Sequence, residues 1–305
     1  MNYETMIDAE TWDFIRRTEA FYPPGAAALG IDQQRAIYDR MCREFFTGYP
    51  EGVTARDDLA GEVPIRIYER GAHNATLIYF HGGGFVVGGL DSHDDVCAEI
   101  CDRADIRVVS VDYRLSPEHS HPVAFEDSLE AAEYVTLTWP GMHILAGDSA
   151  GGNLAAAVAH ATRGLHDFSG QILIYPGLGG DMTKGSYLAH KDAPMLTLED
   201  LKHYTLLRHG GASPAHDPTA TPLADKDFSD LPPTVLITAE CDPLADDGRT
   251  YRNAIEQAGG KARWTNEPGL VHGFLRARHS VTRARHSFDR IVAAAIELAA
   301  GDWHD

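Results

Sequence analysis

Apolar and polar positions change period along this chain. From residue 65 onward, short apolar runs recur, several of them rich in β-branched side chains: Ile65 to Glu69, Leu77 to Phe80, Arg107 to Val111, Ile144 to Ala146, Ile172 to Tyr175, Val235 to Thr238 and Ala262 to Thr265. Runs of this length, flanked by Gly, Pro and Asp, fit strands. Between them lie stretches of helical spacing, such as the alanine-rich Asn153 to Ala161. Strand-like and helix-like segments in alternation predict an α/β fold, a mostly parallel sheet with helices on both faces.

Two regions stand outside that alternation. Helical patterns fill Ala9 to Thr18 and Gln33 to Phe46, around the loop Tyr22-Pro23-Pro24-Gly25. The segment from Asp181 to about Ala215 is an insertion with one helix-like stretch, Leu198 to His209. With 305 residues, no repeats and no low-complexity linker, the chain reads as a single large domain, 1–305, with its extra helices packed against it.

Composition excludes more than it selects. A net charge of −19 argues against nucleic acid or an anionic membrane as partner, since both would repel the chain, and suggests good solubility. Met1 to Glu10 lacks a basic and apolar leader, and the longest apolar stretch, Ile291 to Ala300, is interrupted by Glu297 and reads as a final helix. The expected location is the cytoplasm. Four cysteines, Cys42, Cys97, Cys101 and Cys241, form no disulfide framework and fit free thiols in a reducing compartment. No metal site is expected: His119 and His121 are two apart and His279 and His286 two helical turns apart, and no acidic or sulfur ligand completes either set.

Candidate chemistry begins at Gly147-Asp148-Ser149-Ala150-Gly151, which separates a strand pattern from a helical one. A serine in such a corner is held in a strained conformation with its hydroxyl projecting, and glycines two positions to either side let strand and helix approach. Upstream, Leu77 to Phe80 runs into His81-Gly82-Gly83-Gly84-Phe85, where bare amides suit an oxyanion hole. The run Thr234 to Glu240 ends in Cys241-Asp242-Pro243, and Val271-His272-Gly273-Phe274 follows another strand-like stretch. Asp246 and Asp247 fall on the next helix, where they would favour its positive end. The order Ser149, Asp242, His272, each after its own strand, is the order of a nucleophile, acid and base in this class of fold.

These motifs together resemble the bacterial hormone-sensitive lipase-like esterases, also called family IV. The resemblance rests on HGGGF at His81 to Phe85, DYRLSPEH at Asp112 to His119, GDSAGGNLA at Gly147 to Ala155, DPLADDG at Asp242 to Gly248 and HGF at His272 to Phe274. It runs from about Val63 to the C-terminal helix and belongs to the branch with aspartate before the nucleophile. It implies an α/β-hydrolase core, about 51–180 and 216–305, under a helical cap from about 1–50 and 181–215. It also implies hydrolysis of short-chain carboxylic esters without a cofactor, through an acyl-enzyme. Ser149 would attack, His272 would act as base and acid, and Asp242 would orient it. Amides of Gly83, Gly84 and Ala150 would receive the oxyanion. His81 is expected to shape its loop, and Asp148 with an Arg114/Glu118 pair to act as buried scaffold.

Two other functions share the fold. Amide or formamide hydrolysis, as in kynurenine formamidase, uses the same triad. A non-catalytic ligand receptor, as in the plant gibberellin receptors, lacks the triad histidine, whereas His272 is present here. The partner implied is a small-molecule ester. Oligomeric state is not written in the chain, and a homodimer is left open.

Overall fold

The apolar runs pair into one eight-stranded sheet, whose order follows from crossover connections. In the computed structural model, which describes residues 1–211, 214 and 216–304, the strands are β1 (Thr54–Ala60), β2 (Val63–Glu69), β3 (Ala75–Phe80), β4 (Arg107–Val111), β5 (Met142–Asp148), β6 (Gly170–Ile174), β7 (Thr234–Cys241) and β8 (Ala262–Val271). Their order is β1-β2-β4-β3-β5-β6-β7-β8. β1 and β2 are antiparallel to their neighbours, and every pair from β4 to β8 is parallel.

The helices are α1 (Tyr3–Met6), α2 (Ala9–Glu19), α3 (Ile31–Glu44), α4 (Asp94–Ala104), α5 (Val123–Thr138), α6 (Ala150–Ala161), α7 (Gly185–Ala189), α8 (Leu198–His209), α9 (Ala245–Gln257) and α10 (Thr282–Ala299). Side chains alternate across each strand, so the sheet feeds two cores. Leu77, Tyr79, Ile144 and Ile172 pack toward α4 and α10, joined by Phe14 and Ile15 of α2 and Met41 of α3. Ile78, Phe80, Leu145 and Leu173 pack toward α5, α6 and α9. Burying each such side chain stabilises the fold by about 1.5–3 kcal/mol, which is why the two-sided apolar runs dominate the architecture.

Three elements were not expected. β1, Thr-Ala-Arg-Asp-Asp-Leu-Ala, has no apolar alternation because it is an edge strand, and its charges face solvent and blunt that edge. The short helices α1 and α7 carry too few residues for a period. All four cysteines are free and buried. Among the described residues, no helix is long and apolar enough to cross a membrane.

The insertion lies between β6 and β7. Its helix α8 starts at Thr197, whose hydroxyl accepts from the Asp200 amide at 3.1 Å while the Asp200 carboxylate takes the Thr197 amide at 2.9 Å. Gly210, at φ 64°, ends it. Residues 212, 213 and 215, at the far end of the expected insertion, lie outside the described residues.

Candidate active site

Ser149 leaves β5 and enters α6 with φ 54° and ψ −115°, left-handed backbone that a residue with a Cβ adopts only under constraint. The constraint is steric. A Cβ on Gly151 would stand 2.7 Å from the His81 carbonyl oxygen and closer still to that of Phe80, and one on Gly147 would stand 2.7 Å from the Phe80 oxygen. With glycine at both positions, α6 begins directly on the ends of β3 and β5. The Ser149 amide is satisfied by the Ile174 carbonyl at 2.9 Å.

Parallel strands place the other groups at the same edge of the sheet, at their C-terminal ends. Asp242 follows β7 and His272 follows β8. His272 Nε2 lies 2.9 Å from Ser149 Oγ, and its Nδ1 lies 2.7 Å from Asp242 Oδ2. Asp242 is fully buried, and its other oxygen accepts the Leu244 amide at 2.9 Å. That bond and the rigid end of β7 fix the carboxylate toward the ring. The structure therefore brings Ser149, His272 and Asp242 into one hydrogen-bonded line. Asp246 and Asp247 fall in the first turn of α9 and face elsewhere.

The glycine loop after β3 faces Ser149 across the cleft. Gly83 and Gly84 have φ 129° and 61°, and a Cβ on Gly84 would stand 2.6 Å from the Tyr204 ring of α8. The amides of Gly83, Gly84 and Ala150 have no acceptor among the described residues, and all three residues line the same cavity as Ser149. The Ala150 amide also opens α6, where the helix dipole favours negative charge. Three free donors beside a serine hydroxyl can receive a developing oxyanion.

Asp148 is a buried polar hub. It accepts from the Tyr79 hydroxyl at 2.9 Å and the Gly82 amide at 2.9 Å, and lies 3.2 Å from His93 Nε2. Burial alone would raise its carboxyl, but the charge and hydrogen bond of His93, with Arg276 and Tyr79, outweigh it and hold Asp148 well below the usual carboxylate range. His81 is also buried, its ring stacked 4.3 Å from that of Tyr113 and its carbonyl held by the Tyr113 hydroxyl at 2.6 Å. Burial, then His93, lowers His81 to about 4, so it is neutral at neutral pH.

The expected Arg114/Glu118 pair is not formed, and neither side chain is buried. Arg114 chelates Asp127 of α5, with contacts of 2.6 and 2.9 Å, and Glu118 is gripped by Arg35 of α3 at 2.7 and 2.9 Å. Four residues of irregular chain do not bring side chains together as one helical turn would, so each finds a partner on a different helix.

A cavity of about 880 Å³ opens over Ser149. Its floor is the strand ends. One wall is Ile37, Tyr38 and Met41 of α3, and another is Leu201, Tyr204 and Arg208 of α8. Several ties hold these walls down, none of them visible in the sequence. Arg35 also donates to the Val86 carbonyl at 2.8 Å, joining α3 to the glycine loop. The Tyr3 hydroxyl meets His190 Nδ1 at 3.2 Å, joining the N-terminal segment to the insertion. Asp246 accepts the Ser186 amide at 2.9 Å, and Asp247 accepts the Tyr187 hydroxyl at 3.0 Å and the Leu178 amide at 2.8 Å. Burial raises Asp247 to about 7 despite those bonds. The two aspartates after the candidate acid thus tie the insertion to the loop that carries it.

The sequence matches the family described as the alpha/beta hydrolase fold over residues 77–276. The carboxylic ester hydrolase LipN of Mycobacterium tuberculosis is 37% identical over 238 residues, 71% of this chain and 62% of LipN, so the chain spans less than two thirds of that relative's length. The ethyl acetate hydrolase of Pseudomonas putida is 30% identical over 256 residues, covering 79% of this chain and 80% of that enzyme. The solved esterase of Pyrobaculum calidifontis is 29% identical, covers 96% of this chain and 99% of its own, and superposes with a TM-score of 0.85.

Proposed function

The chain belongs to the α/β-hydrolase family and is a carboxylic ester hydrolase, and from that premise we propose that it cleaves short-chain esters with Ser149 as nucleophile, His272 as general base and acid, and Asp242 as the group that orients the imidazole. The observation that supports this assignment is the pair of bonds in series, 2.9 Å from Ser149 Oγ to His272 and 2.7 Å on to the buried Asp242. His272 takes the hydroxyl proton as Oγ attacks the ester carbonyl. The amides of Gly83, Gly84 and Ala150 receive the oxyanion, and collapse expels the alcohol, protonated by His272. Water then attacks the acyl-serine, activated by the same ring, and the acid leaves.

The N-terminal segment and the insertion act together as a cap over the cleft. Tyr204 packs close to Gly84 beside the oxyanion amides, and this cover, together with the likeness to an ethyl acetate hydrolase, supports acyl chains of about two to six carbons. The four free buried cysteines suit work in the cytoplasm. The test is a panel of nitrophenyl esters of increasing chain length with aryl amides alongside, run on wild type and Ser149→Ala. Turnover should peak at short acyl groups, and the variant should retain only the residual rate of a nucleophile-free site while melting like wild type. A variant that keeps a tenth of wild-type activity would sink the assignment, and faster turnover of long-chain esters would sink the chain-length reading.

A further inference from the structure

Arg208, in the last turn of α8, is buried in the cavity wall with 5% of its surface exposed. Among the described residues no carboxylate is bonded to it. Its Nη1 donates to the Ala220 carbonyl at 3.0 Å and its Nη2 to Asn153 Oδ1 at 3.2 Å, while its Nε–H has no acceptor. The guanidinium lies over the Phe85 ring, 3.6 Å from the centroid. The acid that acts on it from a distance, Asp217, is engaged by His121 at 3.0 Å and by the Thr219 hydroxyl at 2.6 Å. Another buried guanidinium, Arg278, is by contrast paired with Asp95 and Glu99, both at 2.7 Å. Burial lowers Arg208 to about 9, which leaves it charged at neutral pH.

A buried charge without a counter-ion is expensive unless something pairs with it, and a guanidinium offers a planar fork matched to a carboxylate. Its neighbours place it on the acyl side of the nucleophile. Asn153 is one helical turn after Ser149, and Phe85 follows the oxyanion glycines, whereas the alcohol must leave past His272. Resting on the esterase reading above, we propose that Arg208 receives a carboxylate at the far end of the acyl group, so that the substrates are half-esters of short dicarboxylic acids. The chain's net charge of −19 repels such an anion at long range, so the preference has to come from this local contact.

The experiment compares ethyl hydrogen succinate with its neutral isostere ethyl 4-methylpentanoate, following acid release by the full chain at fixed ionic strength. Wild type should favour the half-ester in kcat/KM by roughly ten- to a hundredfold, the scale of a charge-assisted fork. Arg208→Met should abolish or invert that ratio, chiefly through KM, and Arg208→Lys should fall between. A merely structural role for Arg208 would lower both rates together and leave the ratio in place, which overturns the proposal, as does a wild-type preference for the neutral ester. Should Arg208→Met fail to fold, wild type decides: succinamate must inhibit more tightly than 4-methylpentanamide, and equal inhibition overturns the proposal. Wild type that hydrolyses neither ester refutes the esterase reading itself, and the proposal with it.

Discussion

Replacing Gly151 with alanine adds one methyl group at the point where α6 rests on the sheet. That Cβ would stand 2.7 Å from the His81 carbonyl oxygen and nearer still to the Phe80 carbonyl, where real Cβ contacts essentially never fall below 3.0 Å. Both obstacles are backbone, so no side chain can swing aside. Clearing the Phe80 oxygen requires the start of α6 to move by more than about 1 Å. The residues that ride on that turn are Ser149, whose Oγ sits 2.9 Å from His272, and Ala150, with its free amide. A misplacement of about 1 Å costs on the order of 10²-fold in rate, and overpacking of this kind costs about 1–3 kcal/mol in stability, or several degrees in Tm. The assay is kcat/KM on a short-chain ester together with a thermal melt, and Gly211→Ala, where a Cβ meets nothing within 4 Å, serves as control. Wild-type kcat/KM and Tm in Gly151→Ala would mean that the close approach does not position the nucleophile, and this account of the turn would have to be dropped.

Asp242→Asn should lower turnover by about 10⁴, the size seen in the serine-protease template when the imidazole adopts the wrong tautomer, whereas Asp246→Asn should cost far less because it only loosens the hold on Ser186. A larger loss in Asp246→Asn would reassign the acid. Stability should also carry the signature of Asp247, whose carboxyl burial raises to about 7. A raised carboxylate contributes stability that is full below the usual carboxylate range and is lost as pH rises through the folded value. Asp247→Asn should therefore be most destabilising relative to wild type near pH 4 and recover toward pH 8, and a gap in Tm that widens with pH would contradict the raised value.

Much of the site is legible in the chain because its chemistry is local. A nucleophile elbow needs two glycines and a serine within five residues, and Asp242 and His272 each sit directly after a strand. The parallel sheet then brings them together whatever their separation in sequence. Strand positions are legible for the same reason, since two-sided burial leaves a run such as Leu77 to Phe80 without a charged residue. The opposite holds wherever one side chain reaches far along the chain. Arg35 finds Glu118, and Asp247 finds Tyr187, across 83 and 60 residues, and nothing beside either residue marks it. Arg208 looks like an ordinary last-turn cation of α8, suited to its dipole, and only burial against Phe85 distinguishes it. β1 escapes notice because an edge strand with charged side chains leaves no apolar trace.

The double hold of α9 on α7 bears on how enzymes of this kind can be recombined. Transplanting an insertion from a relative to change what enters the cleft is an attractive engineering route, since the proposed reacting groups lie on the strand ends. Here the graft boundary runs through a carboxylate that is 1% exposed and depends on Tyr187, Leu178 and Gly180 for its hydrogen bonds. A donor segment lacking a hydroxyl at position 187 would remove one of the three donors to Asp247, five residues beyond Asp242, and the chimera would lose activity through the acid loop rather than through the new pocket. Libraries of such chimeras should therefore be cut so that residues 178–187 and 246–247 travel from the same parent.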